Sequence, residues 1–185
     1  MEGKDNWKVI ATENMKLGRF EIVYETVAFS VEKNGPYSYV VFRSDGVCVL
    51  PVLKDGRLVL VRQYRRPVDA MQIEVPAGMI DQGETPMEAA LRELKEETGL
   101  SAREIVDCGF LYASAGSTTE KMYLFIAYCD DETISTEGLH FSEKIDVEFF
   151  SIEQVQKLID ENQINHSALQ VLFYRYLSKM RGEKT

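Results

Sequence analysis

The chain is short of the features that mark several large classes of protein. It has three cysteines, Cys48, Cys108 and Cys129, an odd number at wide spacing. That argues against a disulfide framework and against a zinc site of paired cysteines. They read as reduced core residues of a cytoplasmic protein. No apolar run approaches a membrane span. Residues 1–8 are polar and lack the apolar core of a signal peptide. Positive charge is also scarce: 21 Lys and Arg against 30 Asp and Glu leave a net charge of −9. A sequence-independent nucleic-acid binder needs basic surface, so that class is disfavoured. There is no internal repeat, low-complexity segment or linker. What is present is ordinary for a globular protein: 45% hydrophobic and 28% charged residues in a 185-residue chain. That is enough for one domain with a substantial core.

The stretch from Gly78 to Leu100 carries the densest pattern. Thr85 is a good N-cap, Pro86 suits the first helical position, and Glu88 stands where a capping box wants its acid. Met87, Ala90, Leu91 and Leu94 recur at helical spacing and predict one apolar face. Gly99 is placed to stop the helix in a left-handed turn. The opposite face is expected to carry Glu93 and Glu97, four apart and stacked on one side, with Glu96 beside them. Stacked carboxylates weaken a helix unless a cation sits between them, and hard oxygen ligands favour Mg2+ or Mn2+. Arg92 adds a positive charge that can orient one acid by a bidentate contact. Glu84 can fold back towards the same place. For the glutamate pair alone, a solvated charged helix face is the plainer explanation.

The full pattern alters that balance. Gly78, five residues, Glu84, seven residues, then Arg92-Glu93-Leu94-x-Glu96-Glu97-x-Gly99-Leu100 resembles the Nudix box at every defining position. The resemblance implies an α+β fold, an α/β/α sandwich with a mixed central sheet. It also implies hydrolysis of nucleoside diphosphates linked to a second moiety, with a divalent metal. On that basis Glu93 and Glu97 are the expected metal ligands, Glu96 and the Ala77 carbonyl complete the shell, and Glu84 acts through a bound water. A general base takes the proton from the attacking water; it is either a box glutamate or an acid on a later loop.

Before the box, residues 8–14, 19–27 and 38–43 read as strands, with a turn at Asn34-Gly35-Pro36. This front section, residues 1–45, resembles the extra N-terminal sheet of the ADP-ribose pyrophosphatase branch, where it reaches across a homodimer. An added layer of the same monomer is the alternative. Residues 46–185 are then the hydrolase domain. Within it, Val47–Leu53 is a continuous apolar run, Lys54-Asp55-Gly56 signals a hairpin, and Leu58–Val61 returns. The return ends in Arg62-Gln63-Tyr64-Arg65-Arg66-Pro67. Basic groups bunched at a strand end suit a diphosphate. The same branch has a similar Arg-Gln-Tyr-Arg segment, and Arg62 and Arg65 are expected to face one side. Glu74-Val75-Pro76-Ala77-Gly78 resembles that branch's Glu-x-Pro-Ala-Gly run, which implies that Glu74 lies near nucleotide or metal.

After the box, 104–110 and 122–128 read as strands flanking a loop of small and hydroxylic residues, Tyr112–Glu120. Such a loop lets backbone amides approach a ligand. Related enzymes carry Ser-Pro-Gly there, and this chain has Ser114-Ala115-Gly116. Similar loops, ending in a glycine followed shortly by a glutamate, occur in GDP-mannose hydrolases, which makes Gly116 and Glu120 candidates for substrate contact. Residues 130–146 are acidic and poorly patterned and predict a loop. The resemblance implies a catalytic acid in it, with Glu143 the first candidate and Glu137 the second; His140 is a plain loop residue. A strand at 147–150 and helices from Ser151 and Ser167 end the chain, with His166 structural. The expected activity is Mg2+-dependent cleavage of a nucleoside diphosphate sugar, ADP-ribose first and GDP-mannose or another sugar nucleotide second. A non-catalytic nucleotide-binding module would be marked by lost box glutamates, and none is lost.

Overall fold

The computed structural model describes residues 7–18, 20–130 and 145–182. They fall into two compact units. One holds the described residues up to Arg43 together with Tyr112–Glu120. The other holds 44–111 and the described residues from 121 onward.

The first unit is a three-stranded antiparallel sheet: β1 (Lys8–Leu17), β2 (Phe20–Ala28) and β3 (Asn34–Val41). Glu13 faces Tyr24 across β1 and β2, and Tyr24 faces Ser38 across β2 and β3. The turn expected at Asn34-Gly35-Pro36 lies earlier, where the Phe29 amide donates to the Lys33 carbonyl at 2.9 Å. Asn34, Gly35 and Pro36 open β3 instead, opposite Ala28, Val27 and Thr26. β3 has β2 on one side only in the sheet order. A proline, which has no N–H to give, is tolerated on such a strand. The 112–120 loop adds to this unit along β3. Val40 N–H donates to Ser117 O at 2.9 Å, Phe42 N–H to Thr119 Oγ1 at 2.9 Å, and Tyr37 Oη–H to Gly116 O at 2.8 Å.

The second unit is built on β4 (Gly46–Val52), β5 (Leu58–Arg65), β6 (Ala70–Glu74), β7 (Ala77–Met79), β8 (Ala102–Tyr112), β9 (Lys121–Cys129) and β10 (Ile145–Phe150). The strand order is β10-β5-β4-β9-β8, with β6 on β5 and β7 on β4. β4 runs parallel to β9 and antiparallel to β5 and β7, so the sheet is mixed. Every residue of β4 is buried. Its unbroken apolar run is what a strand covered on both faces requires.

Three helices supply the covers: α1 (Pro86–Thr98), α2 (Ile152–Asp160) and α3 (Ser167–Met180). Ala89, Ala90 and Leu94 of α1 join Val47, Val49, Val59 and Phe125 in one core layer. Val155 of α2 and Leu169, Leu172 and Phe173 of α3 join Cys48, Leu50, Leu60 and Leu124 in the other. Alternate residues of β4 thus feed opposite layers, and the α/β/α sandwich follows from period-two alternation between two helical layers. Truncating Leu50 or Leu94, both fully buried, removes packing worth about 2–5 kcal/mol. Cys48 and Cys129 are buried in these layers, and no disulfide joins any cysteine.

Candidate active site

The site is assembled on α1. Thr85 Oγ1 accepts from the Glu88 amide at 3.3 Å, and Glu88 Oε2 accepts from the Thr85 amide at 2.8 Å, closing the capping box. Gly99 ends the helix at φ 73° and donates its N–H to Lys95 O at 2.9 Å. These caps fix where the helix begins and stops, and so which residues face the sheet.

The buried positions are Ala89, Ala90, Glu93, Leu94 and Thr98, while Met87 and Leu91 are exposed. The expected apolar face is therefore turned. At about 100° per residue Glu93 and Glu97 flank the Ala90–Leu94 stripe rather than oppose it. They lie at the edge of the core, not on the solvated side.

Gly78 makes that placement possible. A Cβ on this residue would overlap the Glu93 carboxyl group. Only hydrogen at that position lets β7 and the helix carboxylate share the space.

Arg92 organises the acids around it. Its Nε and Nη2 donate to Glu84 Oε1 and Oε2 at 2.8 and 2.9 Å. Nη1 reaches Glu93 Oε1 at 2.6 Å and Glu96 Oε2 at 3.2 Å. Nη2 also donates to the Met79 carbonyl at 2.9 Å. Glu84 takes a further bond from the Asp81 amide at 3.0 Å. One guanidinium thus ties β7, the 80–85 loop and α1 together. Glu84 does fold back as expected. Met79 O and Asp81 N had no sequence signal, because backbone groups carry none.

Glu97 is held differently. Its Oε2 accepts from the Ala77 amide at 3.2 Å, which puts the Ala77 backbone beside this carboxylate. Burial, with Glu93's negative charge second, pushes Glu97 up to about 8, against the smaller pull of the Ala77 amide and Arg65. Burial also raises Glu93 despite its bond to Arg92. Glu84 runs the other way: the bonds from Arg92 hold it down at about 2. The Arg92 guanidinium is driven further above its ordinary value, chiefly by Glu84.

Arg65 and Glu74 border this cluster. Arg65 Nε and Nη2 bond Glu74 Oε1 and Oε2 at 2.9 and 2.7 Å, and Glu74 is buried. Both feel the Glu97 charge. Arg62 does not share their side of the sheet. Three residues from Arg65 on a strand of period two, it projects from the opposite face. There it makes a bidentate pair with Glu148 of β10 at 2.5 and 3.1 Å. The expectation that Arg62 and Arg65 face together is corrected, since only positions an even number apart do. Glu148 was a strand residue with no motif around it, and its partner became visible only once β10 lay against β5.

His166 stands near Arg65 and Glu74. Its Nδ1 is buried with no hydrogen-bond partner, and burial pulls the imidazole below its ordinary value. Gly116 and Glu120 belong to the first unit, where the Gly116 carbonyl receives Tyr37 Oη–H. Glu143, Glu137 and His140 lie outside the described residues.

Among the described residues no three carboxylate, thiol or imidazole side chains already converge as a metal cage. The donor chemistry nevertheless fits a hard cation. Glu93 and Glu97 are carboxylates whose ionised form is disfavoured by burial and mutual repulsion. A divalent ion beside them reverses both penalties.

Comparison with known proteins bears on this geometry. The NUDIX domain matches residues 42–172. An ADP-ribose pyrophosphatase of Bacillus subtilis (strain 168) is 31% identical over 160 residues, 85% of each chain. A methanol dehydrogenase activator of Bacillus methanolicus is 30% identical over 180 residues, 96% of this chain and 95% of the relative. The crystal structure of an ADP compounds hydrolase superposes with a TM-score of 0.83 at 23% identity, covering 100% of both chains.

Proposed function

The chain belongs to the Nudix family and hydrolyses the diphosphate bond of nucleotide sugars; from that premise we propose that its substrate is ADP-ribose, cleaved to AMP and ribose 5-phosphate. The observation that carries the reading is the Glu93–Glu97 pair, two carboxylates raised by burial, with Gly78 making room for that of Glu93. The choice of ADP-ribose is supported by the Bacillus subtilis relative, with which this chain aligns over 85% of its length.

Nudix hydrolases use divalent metal ions, and Mg2+, with Mn2+ as a substitute, is the ion we propose here. Glu93, Glu97, Glu96 and the Ala77 carbonyl would hold it, with Glu84 acting through water. A bound Mg2+ supplies charge neutralisation of the diphosphate and a more acidic water.

The chain's own residues do the rest. Arg92 keeps Glu84, Glu93 and Glu96 oriented from one guanidinium. The Ala77 amide fixes one oxygen of Glu97. Arg65, held by Glu74 and only part-buried, is the cation proposed to meet a phosphate of the substrate. The proton of the attacking water passes to a carboxylate, a box glutamate or Glu143. Glu120 and Gly116 are proposed substrate contacts of the first unit.

We further propose a homodimer. Trp7, Val9, Ile10, Met15, Leu17, Phe20 and Tyr24 are exposed in the first unit, and every residue of β1 is exposed. A second copy covers such a face under two-fold symmetry.

Ala115 in the Ser114-Ala115-Gly116 loop favours a second reading, GDP-mannose as substrate. The deciding experiment is a substrate panel with Mg2+, comparing ADP-ribose, GDP-mannose, UDP-glucose, NADH and a diadenosine polyphosphate by phosphate release after phosphatase coupling. ADP-ribose should give the highest kcat/KM. A higher value for GDP-mannose would replace the first reading by the second.

A further inference from the structure

A polar cavity lies on the α3 side of the sheet, opposite α1. It measures about 310 Å³ and is lined by Asp107 and Cys108 of β8 and by Arg175 and Lys179 of α3. Arg175 and Lys179 are four apart, so they stack on one face of their helix. Like charges at that spacing repel. Among the described residues no carboxylate forms an ion pair with either. Asp107 is the one acid in the lining, and its Oδ1 already accepts the Gly109 amide at 2.6 Å.

Gly109 of β8 has a φ of +77°, and a Cβ there would stand 3.7 Å from Arg175 Nη1, an ordinary van der Waals distance. The guanidinium therefore lies close over the backbone of this glycine. Both cations share the cavity lining with Cys108. Burial raises that thiol, and Lys179 and then Arg175 pull against it. The lining carries two positive charges and one negative on a chain whose net charge is −9. An acidic protein that gathers two cations with no ion pair among its described residues in one concavity concentrates anion affinity there. A guanidinium fork and an ammonium point charge match the oxygens of a tetrahedral oxyanion. The volume is at the small end of ligand sites.

We propose that this cavity binds a phosphate group, carried by inorganic phosphate or by a small phosphate monoester. The proposal does not rest on ADP-ribose as the substrate. It adds a place where a phosphate monoester, the kind of product a nucleotide-sugar hydrolase releases, meets the protein away from the Glu93–Glu97 site.

Cys108 is the reporter, since Cys48 and Cys129 are both fully buried. The experiment measures alkylation of Cys108 in the full chain by a neutral maleimide, with the modified residue identified by peptide mass. Inorganic phosphate and ribose 5-phosphate are titrated separately against chloride at matched ionic strength. Site occupancy should slow alkylation by about tenfold at a ligand concentration ten times the dissociation constant. Protection should vanish in Arg175→Gln/Lys179→Gln and be partly kept in Arg175→Lys. Lys179→Gln alone, at an exposed position, serves if the double variant does not fold. Protection by phosphate alone makes the free ion the ligand, and protection by ribose 5-phosphate makes it a monoester. Equal rates in phosphate, ribose 5-phosphate and chloride would overturn the proposal, as would protection that survives loss of the cations.

Discussion

Arg92 holds both carboxylate oxygens of Glu84, Nε to Oε1 at 2.8 Å and Nη2 to Oε2 at 2.9 Å. The pair joins the loop before α1 to the helix itself, and Glu84 stays ionised down to about pH 2 because of it. A carboxylate lowered in the folded state stabilises fully above its unfolded value. That contribution is lost as pH falls from about 4.5 towards 2. The Glu84 carboxyl should therefore titrate by NMR near pH 2 in the wild type. In Arg92→Lys, which cannot make the fork, it should move back towards the ordinary range. An unchanged titration would show that the bidentate contact is not the cause.

Gly78→Ala tests the shared space between β7 and α1. The new methyl meets the Glu93 carboxyl group, so the carboxylate or the strand must move. Overpacking of this kind costs about 1–3 kcal/mol. Because the displaced group is Glu93, kcat should fall by at least about tenfold even where the protein remains folded, a barrier change of about 1.4 kcal/mol. Circular dichroism and steady-state kinetics on the same sample check both. Normal turnover with a folded spectrum would remove Glu93 from the working site.

The two arginines of β5 should separate in kinetics. Arg65 lies beside Glu74 and feels the Glu97 charge, whereas Arg62 sits on the other face with Glu148. Arg65→Ala should raise KM and also destabilise, since it strands a carboxylate whose side chain is 5% exposed. The pair is partly open to solvent, so about 1–2 kcal/mol is expected rather than the larger cost of a closed one. Arg62→Ala should leave KM unchanged and cost at most about 1 kcal/mol. A raised KM in Arg62→Ala would return both residues to one clamp.

These contrasts mark what the sequence could and could not disclose. Thr85, Pro86, Glu88 and Gly99 announced the helix and its ends, because capping is local chemistry. The apolar run at Val47–Leu53, the Lys54-Asp55-Gly56 turn and the return from Leu58 announced the hairpin of β4 and β5, and only the fold showed that both faces of β4 are covered. The facing of α1 was misjudged because Met87 and Leu91 are apolar yet exposed. Periodicity alone does not say which of two overlapping stripes the sheet accepts. The Arg62 and Arg65 error came from treating a charge cluster as one surface, when strand parity splits it. Glu148 and the Met79 carbonyl were invisible for a different reason: they become partners only through long-range pairing, of β10 with β5 and of β7 with the helix. The NUDIX match at residues 42–172 agrees with the box read from Gly78 to Leu100, while the front sheet, which ends at Val41, lies outside it.

Assembly is open to a direct check. Light scattering at micromolar concentration should give about twice the 21.1 kDa chain mass. Removing the first 43 residues should give a monomer with weakened substrate affinity. A full-length monomer with full activity would dismiss the dimer.

Burial of Glu97 has a consequence for stability without metal. Its folded value near 8 lies above the ordinary 4.5, so the folded state holds a proton that the unfolded chain releases. The contribution is complete below about pH 4.5 and is lost as pH rises through 8. In chelator the melting temperature should decline across that window, and Mg2+ should remove most of the decline. A flat profile in chelator would mean that Glu97 is not desolvated.

The most direct test of the account is Glu97→Gln assayed with saturating Mg2+ on the best substrate of the panel. The amide keeps the shape of the side chain and removes the charge that a cation needs. The account expects kcat to fall at least about a hundredfold, close to 3 kcal/mol of barrier, with the protein folded and Mg2+ no longer raising its melting temperature. Turnover within a few-fold of wild type, with Mg2+ still stabilising the variant, would contradict it.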